Sequence, residues 1–170
     1  MGKYTVGLKQ VKVGTADPTG ALTGASATGT KKEFSVYNDT CEVSQDKPSR
    51  TEHKEENNAV PKVVLKEKQT VSINFQVMET DKETLTMLLG GAAVNTSGFG
   101  MDGSEDVENK YFVFETLQGY DIIVPNGDIS ASLSGKLSKT GILLVDVTVT
   151  PLAVTGANNK PFNMIPKSSS

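Results

Sequence analysis

The fold is decided by residues 69–91, which read QTVSINFQVMETDKETLTMLLGG. In the first half every second residue from Val71 to Val77 is apolar and the residues between are polar, which predicts a strand with one buried face. In the second half, leucines spaced three and four apart between Leu85 and Leu89 predict one apolar helix face. Two glycines follow, and glycine readily adopts the positive φ that ends a helix. The stretch predicts a strand that runs directly into a short helix.

The start of this helix is marked by Thr80-Asp81-Lys82-Glu83. Thr80 can accept a hydrogen bond from the N–H of Glu83 while Glu83 reaches back, which makes a capping box. We therefore expect a helix over residues 80–89. Because the remainder reads as strands and loops, the expected fold is mostly β with one short α-helix.

Length and charge bound the functional classes. A chain of 170 residues can bury a sizeable core as one domain. Its 17 basic and 20 acidic side chains give a net charge of −3, without the clustered Lys and Arg that a phosphate-binding surface needs. No apolar run approaches the ~20 residues of a membrane helix, and no apolar leader opens the chain. We expect a soluble protein, made in a reducing compartment, that binds neither membranes nor duplex DNA tightly.

The chain shows no linker between two domains. We expect one β domain over residues 1–155 and a C-terminal tail over residues 156–170 that is extended or disordered. Residues 17–30 and 92–108, both rich in glycine, are expected to be loops, with turns at residues 125–127 and 139–141. A bulge is expected near Asn38, and Leu137 is expected to lie in a strand.

A long polar segment interrupts the strand pattern. Residues 47–58 contain no large apolar side chain, and a loop of ~12 residues or more in a compact domain is usually functional or disordered. Strand-like residues flank it, so we expect a hairpin arm, with its loop at about residues 44–62, that neighbouring subunits would order. The candidate interface residues are Lys47, Pro48, Ser49, Arg50, Glu52, His53, Lys54, Glu55 and Glu56.

Residues suited to catalysis or metal binding are scarce. His53 is the sole histidine and Cys41 the sole cysteine, so a catalytic triad or a histidine-based metal site has little to build on. Residues 102–106 resemble part of a calcium loop but lack the ligand spacing of an EF-hand. We expect no catalytic residues, no metal and no cofactor.

The order of elements carries a family resemblance. In chain order, four features resemble the tail tube proteins (major tail proteins) of long-tailed, non-contractile bacteriophages. They are an N-terminal strand, a polar hairpin arm, the strand and capped helix of residues 71–91, and the closing strand of residues 141–152, GILLVDVTVTPL. The resemblance spans residues 4–152. The loop at residues 17–30 and the tail after Pro151 have no counterpart in it.

The resemblance implies a β-sandwich or squashed barrel of the phage tail tube type, a fold shared with the type VI secretion tube protein. It implies a virion tail protein, made in the host cytoplasm, that forms hexameric rings with a continuous inner barrel. The implied partners are other copies of the chain, a tape-measure protein and a tail-terminator protein. DNA would pass through the channel without tight binding, since basic contacts would hold it by counterion release.

Two strongly alternating strands, residues 71–77 and 143–149, each leave one polar face. Either face could line a channel or could be an ordinary solvent face. These strands carry no inward-pointing charge and no central proline that would prevent another strand from pairing with an exposed edge. They therefore favour pairing with a neighbouring subunit, and hence a ring. The candidate lumen-facing residues are Ser72, Asn74, Gln76, Asp146 and Thr148.

Two other functional classes compete with the tube subunit as interpretations of this sequence. A β-sandwich binding or adhesin-like module is disfavoured because the chain has no Trp and only four Tyr for stacking on sugars. An enzyme is disfavoured by the lone histidine, the lone cysteine and the lack of a catalytic motif.

Overall fold

The computed structural model describes residues 4–167, except for the side chains of Ala25 and Ser26. Within that range it contains twelve strands and two helices, and the chain is mostly β as the sequence predicts. The elements in chain order are β1 Val6–Thr15, α1 Ala25–Thr28, β2 Lys32–Phe34, β3 Glu42–Ser44, β4 Ser49–His53, β5 Val63–Glu67, β6 Ser72–Val77, α2 Lys82–Leu89, β7 Ala92–Val94, β8 Gly98–Gly100, β9 Lys110–Gln118, β10 Tyr120–Gly135, β11 Leu143–Pro151 and β12 Asn163–Pro166.

Eight strands form one antiparallel sheet in the order β2-β1-β9-β10-β11-β6-β3, with β12 also paired to β10. The sheet folds over on itself into two layers. The first layer holds β2, β1, β9, the start of β10 and β12, and the second layer holds the rest of β10, β11, β6 and β3. The ladder does not close into a barrel, although an isolated bridge joins Val36 to Val77. The architecture is therefore sandwich-like.

Strand β10 crosses between the two layers. Its pairing with β9 shifts register between Val124 and Gly127, which marks a bulge inside one long strand. The turn predicted at residues 125–127 is therefore wrong. The carbonyl of Pro125 accepts a hydrogen bond from the N–H of Asp17, and the carbonyl of Asn126 accepts one from the N–H of Leu152. The backbone at these residues is therefore hydrogen-bonded within the fold and not exposed as in a surface turn.

The core lies between the layers and draws on both. Its members include Val11, Val13 and Phe112 from the first layer and Phe75, Val147 and Val149 from the second. The alternating pattern predicted for β6 is confirmed, because Ile73, Phe75 and Val77 are all buried. Burial of each such side chain stabilises the fold by ~1.5–3 kcal/mol.

Helix α2 begins two residues later than predicted. Its N-cap is Asp81, whose carboxylate accepts from the backbone N–H of Thr84 at 3.3 Å and from the Thr84 hydroxyl at 2.7 Å. The predicted capping box between Thr80 and Glu83 is wrong, and Glu83 instead lies 3.3 Å from the ammonium of Lys32. The predicted helix end is confirmed, because Gly90 adopts φ +80° and its N–H donates to the Thr86 carbonyl.

Several segments read as loops contain short elements. Helix α1 lies within residues 17–30, and the hairpin β7–β8 lies within residues 92–108. The bulge expected near Asn38 is confirmed: Val36 and Glu42 both pair antiparallel with β6, opposite Val77 and Asn74, and residues 37–41 bulge out between them with Asp39 at φ +57°. Leu137 is 88% exposed in the β10–β11 turn, not in a strand. Strand β12 makes residues 163–166 of the C-terminal tail part of the sheet, and residues 168–170 lie outside the described residues.

Candidate assembly surfaces

The outward face of the second layer is a polar strip built from four strands. Because paired residues of an antiparallel sheet point to the same side, the register assigns its members directly. Asn74 lies between Glu42 and Thr148, and Thr148 pairs with Ser130. The full set of polar positions on this face, here called the polar face, is Glu42 and Ser44 on β3, Ser72, Asn74 and Gln76 on β6, Asp146, Thr148 and Thr150 on β11, and Asp128, Ser130, Ser132 and Ser134 on β10.

Side-chain hydrogen bonds run across this face. The Thr148 hydroxyl donates to the amide oxygen of Asn74 at 2.7 Å, and the Gln76 amide nitrogen donates to the Asp146 carboxylate. The hydroxyls of Ser44 and Ser72 lie 3.1 Å apart. The five residues predicted to face a lumen thus share one surface: four of them pair with each other, and Ser72 pairs with Ser44. Sequence analysis missed the members on β3 and β10, although the alternating serines at 130, 132 and 134 were a visible signal.

The charge of the polar face has one sign. Its ionisable members are Glu42, Asp128 and Asp146, and none of its twelve positions holds Lys or Arg. Surfaces that hold nucleic acid present clustered cations to the phosphates. The polar face therefore repels a polyanion.

Both edges of the second layer are open within residues 4–167. At one edge, residues 128–135 of β10 pair with β11 alone, because β9 reaches only to Gly127. At the other edge, β3 pairs with β6 alone. Unpaired N–H and C=O groups along a strand edge are a template for another strand. The second layer can therefore be extended at both sides by further chains.

The arm is a separate two-stranded sheet. Strand β4 pairs with β5 over five residues, from Ser49 opposite Glu67 to His53 opposite Val63. All of the candidate interface residues from Lys47 to Glu56 are exposed. Salt bridges join Arg50 to Glu52 at 2.8 Å and Lys54 to Glu52 at 3.4 Å, and such exposed pairs stabilise little. An isolated two-stranded hairpin is marginally stable in water, so this arm gains most from a partner.

The two faces of the arm differ in chemistry. Val63 and Leu65 lie on one face with His53 and Thr51, and their side chains are 51% and 57% exposed. The other face carries Arg50 opposite Lys66, a pair of like charge, and Glu52 opposite Val64. The sequence-based candidates lie in the polar loop and so omit Val63 and Leu65, which lie in the returning strand.

Two chemical features singled out in the sequence, the sole cysteine and the acidic loop at residues 102–106, have defined surroundings in the structure. Burial raises the pKa of the Cys41 thiol to about 11, so the thiol is protonated and unreactive at neutral pH. Among the described residues, no three His, Cys, Asp or Glu side chains are grouped to hold a metal ion. In the acidic loop, the Asp102 carboxylate accepts from the N–H and hydroxyl of Ser104. Neither helix within residues 4–167 has the length and apolar character needed to cross a membrane.

The sandwich with its open edges and projecting hairpin defines a class of assembly-forming structural protein. Residues 10–169 match the family model described as phage tail tube protein. Since the match covers nearly the whole chain, the chain belongs to the phage tail tube family and is a structural component of a virion tail. The match includes the loop at residues 17–30 and most of the C-terminal tail, which the resemblance read from the sequence had left out. A comparison with curated proteins gave no match.

Proposed function

We propose that this chain is the repeating subunit of a phage tail tube, forming stacked hexameric rings around a channel through which DNA passes. The observation that supports it most is the second layer, a four-stranded sheet that is open at both edges and polar on its outward face. One sheet of this kind can be joined edge to edge into a closed wall.

In the proposed ring, the open edge of β10 in one copy pairs with β3 of the next copy. This pairing would satisfy the unpaired backbone groups at residues 128–135 and at residues 42–44 of each subunit. Closure of the ring would remove every such edge, which is the protection that open sheets otherwise need.

The polar face would then form the channel wall. Its hydroxyl and amide groups keep the wall hydrated, and its carboxylates at positions 42, 128 and 146 repel phosphate. DNA could move along such a wall because no cation would hold it by counterion release. Ser72, Asn74, Gln76, Asp146 and Thr148 are proposed to lie at the centre of this wall.

The arm is proposed to contact other copies in the assembled tube, through residues that include Arg50, Glu52 and His53. A tape-measure protein inside the tube and a tail-terminator protein at its end are the proposed heterologous partners. These roles rest on the family to which the chain belongs and on the exposure of the whole hairpin.

Electron microscopy and light scattering across a concentration series test the proposal. We expect purified protein to form rings of uniform diameter with a central hole, and short tubes at high concentration. A matched pair of variants sharpens the test. Ala131→Pro removes a backbone donor that points to the open edge of β10, whereas Ser138→Pro lies in the β10–β11 turn. Rings should be lost only in Ala131→Pro. A wild-type protein that stays monomeric up to millimolar concentration would overturn the proposal.

A further inference from the structure

The three carboxylates of the polar face are spread over three strands. Asp128 lies on β10, Asp146 on β11 and Glu42 on β3, level with residues 150, 146 and 148 of β11 respectively. Residues two apart on a strand are ~6.6 Å apart and neighbouring strands are ~4.8 Å apart, so the three charges of one subunit are separated by ~12–16 Å. The screening length at ~0.15 M salt is ~8 Å, so the repulsion within one subunit is weak.

These carboxylates lack the cationic partners that other carboxylates of the chain have. Over residues 4–167, none of the three forms a salt bridge. On the outward face of the first layer, by contrast, the Lys12 ammonium lies 2.8 Å from the Glu115 carboxylate and 3.8 Å from that of Glu33. The negative charge of the polar face is therefore not offset by ion pairs.

The backbone directions at the two open edges allow two polar faces to join into one. The hydrogen bond from Leu152 to the Asn126 carbonyl directs even-numbered β10 residues to β11, so Ala131 presents its N–H and C=O to the open edge. Val43 does the same on β3, because its two neighbours pair with even-numbered β6 residues, which face β3 as Gln76 does. The side chains of Ala131 and Val43 both point away from the polar face. Pairing of these edges would therefore keep all the carboxylates on one side.

Edge pairing would bring carboxylates of two copies closer than those within one copy. Glu42 of the neighbouring copy would lie one strand beyond β10, opposite an even-numbered residue. Opposite Ser130 it would be ~8 Å from Asp128, and opposite Ser132 it would be ~10 Å from Asp146. Either distance is close to the screening length at ~0.15 M salt, so the two copies repel each other at the edge where they pair.

We propose that the carboxylates of the polar face regulate assembly by opposing ring closure, so that subunits stay dispersed at low salt and form rings when these charges are screened. The inference rests on the proposed ring-forming function and adds how that function is controlled. Each copy that joins brings three more carboxylates to one wall, where their fields add. An interface held together by salt bridges weakens as salt rises, whereas this interface becomes stronger.

Two triple variants with the same change of net charge test the inference. The polar-face variant is Glu42→Gln/Asp128→Asn/Asp146→Asn, and the control, on the exposed loop between β8 and β9, is Asp102→Asn/Asp106→Asn/Glu108→Gln. Light scattering and sedimentation velocity measure the lowest protein concentration at which rings form, here called the threshold. For the wild type we expect the threshold to fall ~3–10-fold between ~0.05 M and ~0.5 M NaCl.

The two variants should differ in their dependence on salt. The polar-face variant should form rings at ~0.05 M NaCl as readily as the wild type does at ~0.5 M NaCl, because the repulsion is already removed. The control should keep the salt dependence of the wild type. A wild-type threshold that does not change with salt, or equal thresholds for the two variants, would overturn the inference and leave the ring in place.

An added charge gives a readout that does not depend on the triple variants. Ser130→Asp places a fourth carboxylate on the polar face and should raise the threshold at ~0.05 M NaCl, whereas Ser104→Asp, on the exposed loop, should not. Equal thresholds for these two variants would contradict the inference. Failure of the wild-type protein to form rings at any salt concentration, up to millimolar protein, would overturn the ring and its regulation together.

Discussion

Phe75 of β6 packs edge to face against Phe114 of β9, with ring centroids 5.7 Å apart and ring planes at 76°. The two residues belong to different layers, and each is 1% exposed. Aromatic pairs in this geometry contribute ~0.5–1.5 kcal/mol beyond the burial of their surface. The pair therefore helps to hold the second layer, which carries the polar face, against the first.

Shortening a side chain on the buried face of helix α2 should destabilise the fold. Leu88 is fully buried in the core, where α2 packs against β10, so Leu88→Ala should lower the free energy of unfolding by ~2–5 kcal/mol. Thr86→Ala, on the exposed side of the same helix, is the control and should change little. Urea denaturation of both variants measures the difference, and equal stabilities would show that the helix face is not a core element.

The N-cap of α2 predicts a second pair of variants. Because the Asp81 carboxylate accepts from Thr84, Asp81→Ala should cost ~0.5–2 kcal/mol at pH 7, whereas Thr80→Ala should be close to neutral. Thermal denaturation of the two variants at pH 7 checks the assignment. A larger loss of stability from Thr80→Ala than from Asp81→Ala would support the capping box that the sequence predicts.

The same cap has a pH dependence of known sign. The hydrogen bond from the Thr84 hydroxyl lowers the pKa of the Asp81 carboxyl. A carboxyl with a lowered folded-state pKa contributes stability above its unfolded pKa, and this contribution is lost as the pH falls through the folded pKa. The stability gap between wild type and Asp81→Ala should therefore narrow below pH ~4. Denaturation at pH 7 and pH 2.5 measures it; a gap that widens in acid would contradict the prediction.

Removal of the arm should separate folding from assembly. Replacing residues 49–67 with a short Gly-Ser linker deletes β4 and β5 but keeps the Ser44–Ser72 contact at the base of the arm. The deleted hairpin adds nothing to the core, so the melting temperature should stay near that of wild type. Electron microscopy should show that tubes are lost. Tubes of normal length from this variant would show that the arm is dispensable for assembly.

The channel wall can be tested with added positive charge. Wild-type protein should not bind duplex DNA at ~0.15 M salt, since no cation lies on the polar face. Ser132→Lys adds a cation to the polar face, and Gln118→Lys adds the same charge to the exposed end of β9 in the first layer. Tubes of Ser132→Lys should retain DNA in a salt-sensitive manner, and tubes of Gln118→Lys should not. Equal retention would place the polar face outside the channel.

The sequence by itself determined the local features of the fold. Alternation in residues 71–77 and 145–149 decided which side chains are buried, because a strand has a period of two wherever it lies; Leu144 departs from the pattern and is buried on the polar side. Leucine spacing and Gly90 decided the helix and its end, since both depend on the local backbone. The absence of apolar residues from 47 to 58 identified the arm, and the order of elements was sufficient to indicate the family.

The tertiary structure decided the features that depend on neighbours distant in the chain. The alternation of apolar and polar residues identifies the two faces of a strand but not the strand with which it pairs. The local sequence therefore could not predict that β10 crosses between the layers, or that Pro125 lies in a bulge instead of a turn. That Asp81 and not Thr80 is the N-cap also needed the structure, because Glu83 lies beside Lys32, a residue distant in the chain, and not beside the backbone of Thr80. The apolar face of the arm emerges only from the register that sets Val63 opposite His53. Strand pairing is a long-range interaction, and register alone determines which side chains share a surface.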